Sequence, residues 1–194
     1  MTTRRASCLT SLVWVGLIVA SVIIFWPQSP TTRVFTLDTF ERSVFSEWIA
    51  LPQDSTDILA DFYGGRDTNY RTVRFSHGDP DPKKIIRESL RLNSQYQKEE
   101  LSWLEVRMFS LENLFEIFMY GERSLPLWWI QSMAGTNPVA TIAFWERDGH
   151  GFGYLVVVEP PAERVRILQF SQQHLTFDHI RRAFPQTAQV NNDE

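Results

Sequence analysis

The stretch PVATIAFWERDGHGFGYLVVVEPPAERVRILQF, residues 138–170, decides the fold. Its centre, ERDGHGFGY at 146–154, packs acids, a histidine and Gly149, Gly151 and Gly153 into nine residues. A phosphate-binding loop needs a helix N-terminus behind it, whose N–H groups hold the anion. Here the glycines lie between two strand-like runs, PVATIAFWE and YLVVVEP, and are spaced G-x-G-x-G rather than G-x-G-x-x-G. Asp-Gly is a favoured hairpin corner, because glycine takes a positive φ without strain. The spacing therefore predicts a hairpin turn, with His150 and Phe152 at its exposed tip. RVRILQF adds a third strand, giving an antiparallel meander.

Upstream, LPQDSTDILADFYGGRDTNYRTVRFS predicts a β-hairpin. Asp57 to Tyr63 and Tyr70 to Ser76 are rich in aromatic and branched residues, with GGRDTN between them. Val73 and Phe75 are assigned to one face, and Arg71, Arg74 or their neighbours to the other. Asp81 and Pro82 form a helix start, with Ile85, Ile86 and Leu90 on one stripe. Leu37, Phe40, Val44, Phe45 and Trp48 recur at helical spacing, with Asp38 or Thr39 as the cap. SLENLFEIFMYGE predicts a further helix, and LTFDHIRRAF a short closing one. The sum is an α+β fold. It has an antiparallel sheet of about five strands, hairpin plus three-stranded meander, with helices on one face.

CLTSLVWVGLIVASVIIFW, residues 8–26, carries no charge. As a helix it reaches across a hydrocarbon core of ~30 Å. Arg4 and Arg5 precede it and no Lys or Arg follows until Arg33, which predicts a cytoplasmic N-terminus and an exported remainder. The run is longer than a cleaved signal's apolar region and lacks an A-x-A site, so a retained single-pass anchor is the reading. The predicted organisation is a cytoplasmic tail 1–7, a transmembrane helix 8–26, a linker 27–33, an exported α+β domain 34–186 and a flexible tail 187–194.

LPQDSTDILADFYGGRDTNYRTVRF, then LWW, then a meander ending VRILQF, resembles small exported bacterial proteins held by a lipid or one membrane helix, many without assigned activity. The likeness spans Leu51 to Phe170. It implies the anchored-domain architecture and transfers no catalytic residue.

Function classes narrow by exclusion. From Pro27 onward 17 Lys and Arg stand against 23 Asp and Glu. A negative domain repels phosphate backbones, so nucleic acid is not the expected partner. The single cysteine, Cys8, permits neither a disulfide framework nor a cysteine zinc site within one chain. His174 and His179 are five apart without the glutamate of a zinc protease motif, and no G-x-S-x-G is present. Asp54, Asp57 and Asp61 lack the spacing of a calcium loop and read as solvated turn acids. No catalytic, cofactor or metal residue is assigned. In LPLWWIQSM, Trp128 and Trp129 are adjacent, so a strand would send them to opposite faces, one to the core and one to a surface. Trp128, Trp129, His150 and Phe152 are the candidate interaction surface. The leading expectation is a membrane-anchored extracytoplasmic binding or accessory domain that contacts an envelope or membrane protein. An envelope hydrolase using carboxylates or a dispersed metal site, and a structural subunit of a membrane assembly, are the alternatives.

Overall fold

A computed structural model describes residues 32–64, 68–93, 96, 99–107, 109–110, 112–114, 125–130, 137–159, 163–184 and 188–189. They form one antiparallel sheet in the order β1-β2-β3-β7-β6-β5-β4-β8. The strands are β1 Arg33–Phe35, β2 Thr56–Gly64, β3 Thr68–Ser76, β4 Ser102–Arg107, β5 Val139–Arg147, β6 His150–Glu159, β7 Arg164–Gln173 and β8 Ala188–Gln189. Seven have three residues or more, and β8 has only two. The helices are few and short: α1 Leu37–Glu41, α2 Pro82–Leu92, α3 Leu127–Ile130 and α4 Phe177–Ala183, with a 3-10 turn at Val44–Glu47.

The hairpin β2–β3 and the meander β5–β6–β7 stand where the sequence put them, and β3 pairs with β7 to join them. The wider expectation needs correcting. The described residues hold a mostly β fold, in place of an α+β fold led by a spanning helix. Strands β1, β4 and β8 extend the predicted five to eight. The helices cover both faces of the sheet. Among the described residues no helix is long and apolar enough to cross a membrane. The run 8–26 predicted to do so lies outside the described residues, as do most of SLENLFEIFMYGE and the turn at 65–67.

The two faces follow from the period-two alternation of strands. One, here the front, is covered by α1, the 3-10 turn and α2. Phe40, Phe45, Ile49, Ile85 and Ile86 pack there against Val73, Phe75, Trp145, Val156 and Ile167. The back is covered by α3 and α4, which bring Trp129, Ile180 and Phe184 onto Ile142, Phe144, Leu155 and Phe170. Central strands buried on both faces read as continuous apolar runs, as YLVVVE does. Arg71 shares the front with Val73 and Phe75, because residues two apart point the same way, and only Arg74 lies on the back.

Local signals account for the helix starts. The Asp81 carboxylate accepts from the Lys84 N–H at 3.1 Å, and Pro82 occupies the first turn. Thr36 caps α1, not Asp38 or Thr39. Its hydroxyl accepts from the Thr39 N–H, and the Thr39 hydroxyl accepts from the Thr36 N–H. Ser43 then starts the 3-10 turn, so the predicted single helix is broken in two and Val44 is left 66% exposed.

The three glycines of the β5–β6 hairpin serve two different needs. Asp148 (φ 52°) and Gly149 (φ 74°) both lie in the left-handed region, as a two-residue type I′ corner requires. Gly151 and Gly153 are strand residues on the back of the sheet. Gly153 lies between Phe144 and Phe170 in register, and those two rings stack at 6.4 Å over it. A Cβ at Gly153 would sit 2.4 Å from the Phe170 ring and 2.5 Å from the Ala143 carbonyl. At Gly151 it would sit 2.4 Å from the Leu175 carbonyl. The G-x-G spacing is therefore a packing device, with small residues making room for aromatic rings across the strands.

Candidate functional site

The most developed surface lies on the front, at the end of the sheet that carries the β5–β6 corner. Register sets Phe62 on β2 opposite Arg71 on β3. The Arg71 guanidinium is held between two rings, 4.0 Å from the Trp48 centroid and 5.2 Å from that of Phe62. Its Nη1 donates to Gln169 Oε1 at 2.7 Å. Trp48, just after the 3-10 turn, is fixed by its own carbonyl, which accepts from the Tyr154 hydroxyl at 2.7 Å. Burial lowers the Arg71 pKa, against the raising influence of Tyr154, Tyr96 and Glu47. Burial likewise holds the Tyr154 hydroxyl well above the ordinary phenol range.

Beyond Trp48 the rings continue. Tyr96 touches Trp48 (6.2 Å), Trp145 (5.0 Å) and Phe152 (5.7 Å), and Phe152 meets His150 at 6.2 Å. Phe62 is 47% exposed, while Trp48, His150 and Phe152 are half-buried. Arg147 with Glu99 (3.8 Å) and Asp148 (3.6 Å) makes a charged rim. The result is an ordered row of aromatic and cationic side chains that is partly open to solvent.

The four sequence candidates are divided by the structure. His150 and Phe152 join this row. Trp128 and Trp129 lie on the back. They lie in the short helix α3 and not in a strand, so helix geometry separates the two rings. Trp129 is fully buried and offers no surface. Trp128 is half-buried, and its indole N–H donates to Thr32 Oγ1 at 2.8 Å. The Thr32 hydroxyl donates in turn to Asp61 Oδ2 at 3.1 Å. Asp61 is thus a buried back-face residue rather than a solvated turn acid, and desolvation raises its pKa. Residues that sequence reasoning missed are Trp48, Phe62, Arg71 and Tyr96. The hairpin register alone would have paired Phe62 with Arg71. Nothing local announces that Trp48 and Tyr96 come to meet them.

Two other features stand apart from this row. A cleft of about 680 Å³ opens on the front at the opposite end of the sheet, lined among others by Pro52, His77, Asp79, Asp81, Lys84 and Glu88. On the back, Arg166 and Glu159 form a buried ion pair. Arg166 Nε donates to Glu159 Oε1, and Nη1 to the Trp128 carbonyl at 2.7 Å and to the Trp129 carbonyl.

Among the described residues, no three His, Cys, Asp or Glu side chains converge to hold a metal. The imidazoles serve local turns: His77 Nδ1 accepts from the Asp79 N–H, and His179 Nδ1 from the Thr176 N–H. Compared with family models, with curated proteins and with solved structures, the chain matches none.

Proposed function

We propose that the chain is a binding or accessory domain that acts outside the cytoplasm beside a membrane and holds a protein partner through the front aromatic row. The observation that carries this reading is Arg71 clamped between Trp48 and exposed Phe62, continued by Phe152 and His150. Aromatic residues and arginine are the side chains enriched at interface cores and binding hot spots, where each buries a large area in a well-packed pocket. A charged rim around them is the usual surround. The location is supported by the uncharged run at 8–26 behind Arg4 and Arg5.

The test is crosslinked recovery of partners from membranes with the full chain and with a Phe62→Ala, Phe152→Ala variant. The reading predicts one reproducible partner, lost from the variant while its unfolding transition stays cooperative. Equal recovery by a folded variant would remove the aromatic row as the binding surface.

The cleft favours a second reading, a hydrolase working with His77, Asp79 or Glu88. A pocket of this size with convergent polar groups is the ordinary setting of a small-molecule site. Turnover abolished by His77→Ala and by Glu88→Gln would support it. Turnover unchanged in both would exclude it.

A further inference from the structure

Strand parity places a second line of front-face side chains beside Arg71. Asn69 on β3 points to the front, because residues two apart share a face. It lies opposite Gly64 on β2 and Ser171 on β7, and Ser171 lies opposite Phe152 on β6. From β2 to β6 the line therefore runs Gly64, Asn69, Ser171, Phe152. Its first three members are short, so they form a low floor. The Phe62 ring leans over that floor: a Cβ at Gly64 would sit 3.0 Å from its Cζ and 3.4 Å from Asn69 Oδ1. The Phe152 ring stands at the far side of the floor. Arg71, stacked on Trp48, borders it along β3.

The polar groups around this notch lack partners. Arg71 uses Nη1 on Gln169 Oε1. Its Nε and Nη2 have no hydrogen-bond partner among the described residues, and none of the ion pairs there includes it. Glu47 is near enough to favour the Arg71 charge, but it is exposed and forms no ion pair with it. The Asn69 amide and the Ser171 hydroxyl are half-buried and make no side-chain hydrogen bond with a described residue. A cation drawn partway out of water without a carboxylate opposite it is a cost that a bound anion offsets.

We propose that this notch takes the side-chain carboxylate of an aspartate or glutamate on the protein partner, with an apolar neighbour of that acid seated on Phe62 or Phe152. The assignment rests on the front row being the binding surface. One carboxylate oxygen accepts from the free edge of the Arg71 guanidinium, and the other from the Asn69 amide or the Ser171 hydroxyl. Arginine matches a carboxylate because its N–H donors lie in one plane at fixed spacing. Stacking between Trp48 and Phe62 holds that plane while leaving the edge donors usable. One guanidinium answers one carboxylate in charge, and the flanking rings keep the pair from the full screening of an exposed salt bridge.

The test is calorimetric titration of the full chain with three short peptides. They are acetyl-Phe-Glu-Phe-amide, its neutral isostere acetyl-Phe-Gln-Phe-amide, and acetyl-Phe-Gln-Phe with a free C-terminal carboxylate. The proposal predicts saturable binding of the glutamate peptide, roughly 10-fold tighter than its neutral isostere, the value of one charge-assisted hydrogen bond. Arg71→Gln should erase that difference. Arg71 also packs on Trp48, so the Asn69→Ala, Ser171→Ala variant, which breaks no side-chain hydrogen bond to a described residue, is the second readout. It should weaken the glutamate peptide several-fold while unfolding stays cooperative. Unaltered affinity for the glutamate peptide in both variants would overturn the site. Tightest binding of the free-acid peptide would overturn the side-chain source and assign the notch to a chain terminus. Equal binding of the two amides, lost in Phe62→Ala, would overturn the carboxylate site and leave the front surface standing. Binding of none of the three would also overturn it, and the fate of the surface itself is then read from the Phe62→Ala, Phe152→Ala recovery.

Discussion

The two faces of the sheet are built on different principles. The front is assembled from short, well-capped helices, and its arginine, Arg71, is dressed by rings and left partly open. The back is closed by the short helix α3, whose Trp128 and Trp129 carbonyls are tied down by the buried Arg166. One face spends its cation on a surface, and the other spends it on holding a backbone in place. The difference teaches that residue type alone does not assign a role, since both arginines stand at interior positions of adjacent strands. What separates them is parity along the strand and the segment that arrives from elsewhere to cover each face.

The largest effect should come from the back. Glu159→Gln leaves Arg166 buried without a counter-charge, and should cost about 3–5 kcal/mol in denaturant unfolding. Replacing both partners with apolar residues of similar volume should recover much of that loss. If Glu159→Gln cost under 1 kcal/mol, the pair would not organise this face. Next, Gly153→Ala should destabilise by about 1–3 kcal/mol, because its Cβ meets the Ala143 carbonyl as well as the Phe170 ring. Gly78→Ala, where a Cβ meets nothing within 4 Å, is the matched control. On the front, Asp81→Ala removes the α2 cap and should cost ~1 kcal/mol.

A pH series separates the faces more finely. Burial raises the Asp61 pKa despite hydrogen bonds from the Phe62 N–H and Thr32. The folded chain then binds the proton more tightly than the unfolded chain, whose carboxyl titrates near ~3.9. Stability from this group is therefore present below that value and falls as pH rises through the folded pKa. Asp61→Asn should flatten this fall, as read by thermal midpoints from pH 3 upward on the order of one-unit steps. A fall as steep as in the wild type would place its origin elsewhere. The smallest stability change should be that of Phe62→Ala, within about 0.5 kcal/mol, since the ring is 47% exposed.

Legibility in the sequence followed the same divide. The β2–β3 hairpin, the meander and the α2 start were readable because each rests on neighbours in the chain: a turn pair, an alternation, an Asp-Pro cap. The G-x-G run was legible as a turn, but its packing role was not, because Phe170 reaches Gly153 from another strand. β1 and β4 were missed because three or six residues of mixed polarity become strands only when β2 and β5 offer an edge. Helices on one face were expected because a local helix signal does not say which face it will cover: LTFDHIRRAF was legible as a helix, and its place on the back was not. The back is covered by α3 and α4, whose four and seven residues hold their place through tertiary contacts. For the candidate surface, His150 and Phe152 were found from their hairpin tip. Trp48 and Arg71 were not, because their meeting is a product of the finished sheet.

The most direct test of the account compares the faces in one experiment. A photo-crosslinking side chain is placed at Phe62 on the front or at Val34, which is 80% exposed and points to the back. The account predicts that position 62 traps the partner in membranes and that position 34 does not. Trapping of that partner from position 34, with none from position 62, would contradict it.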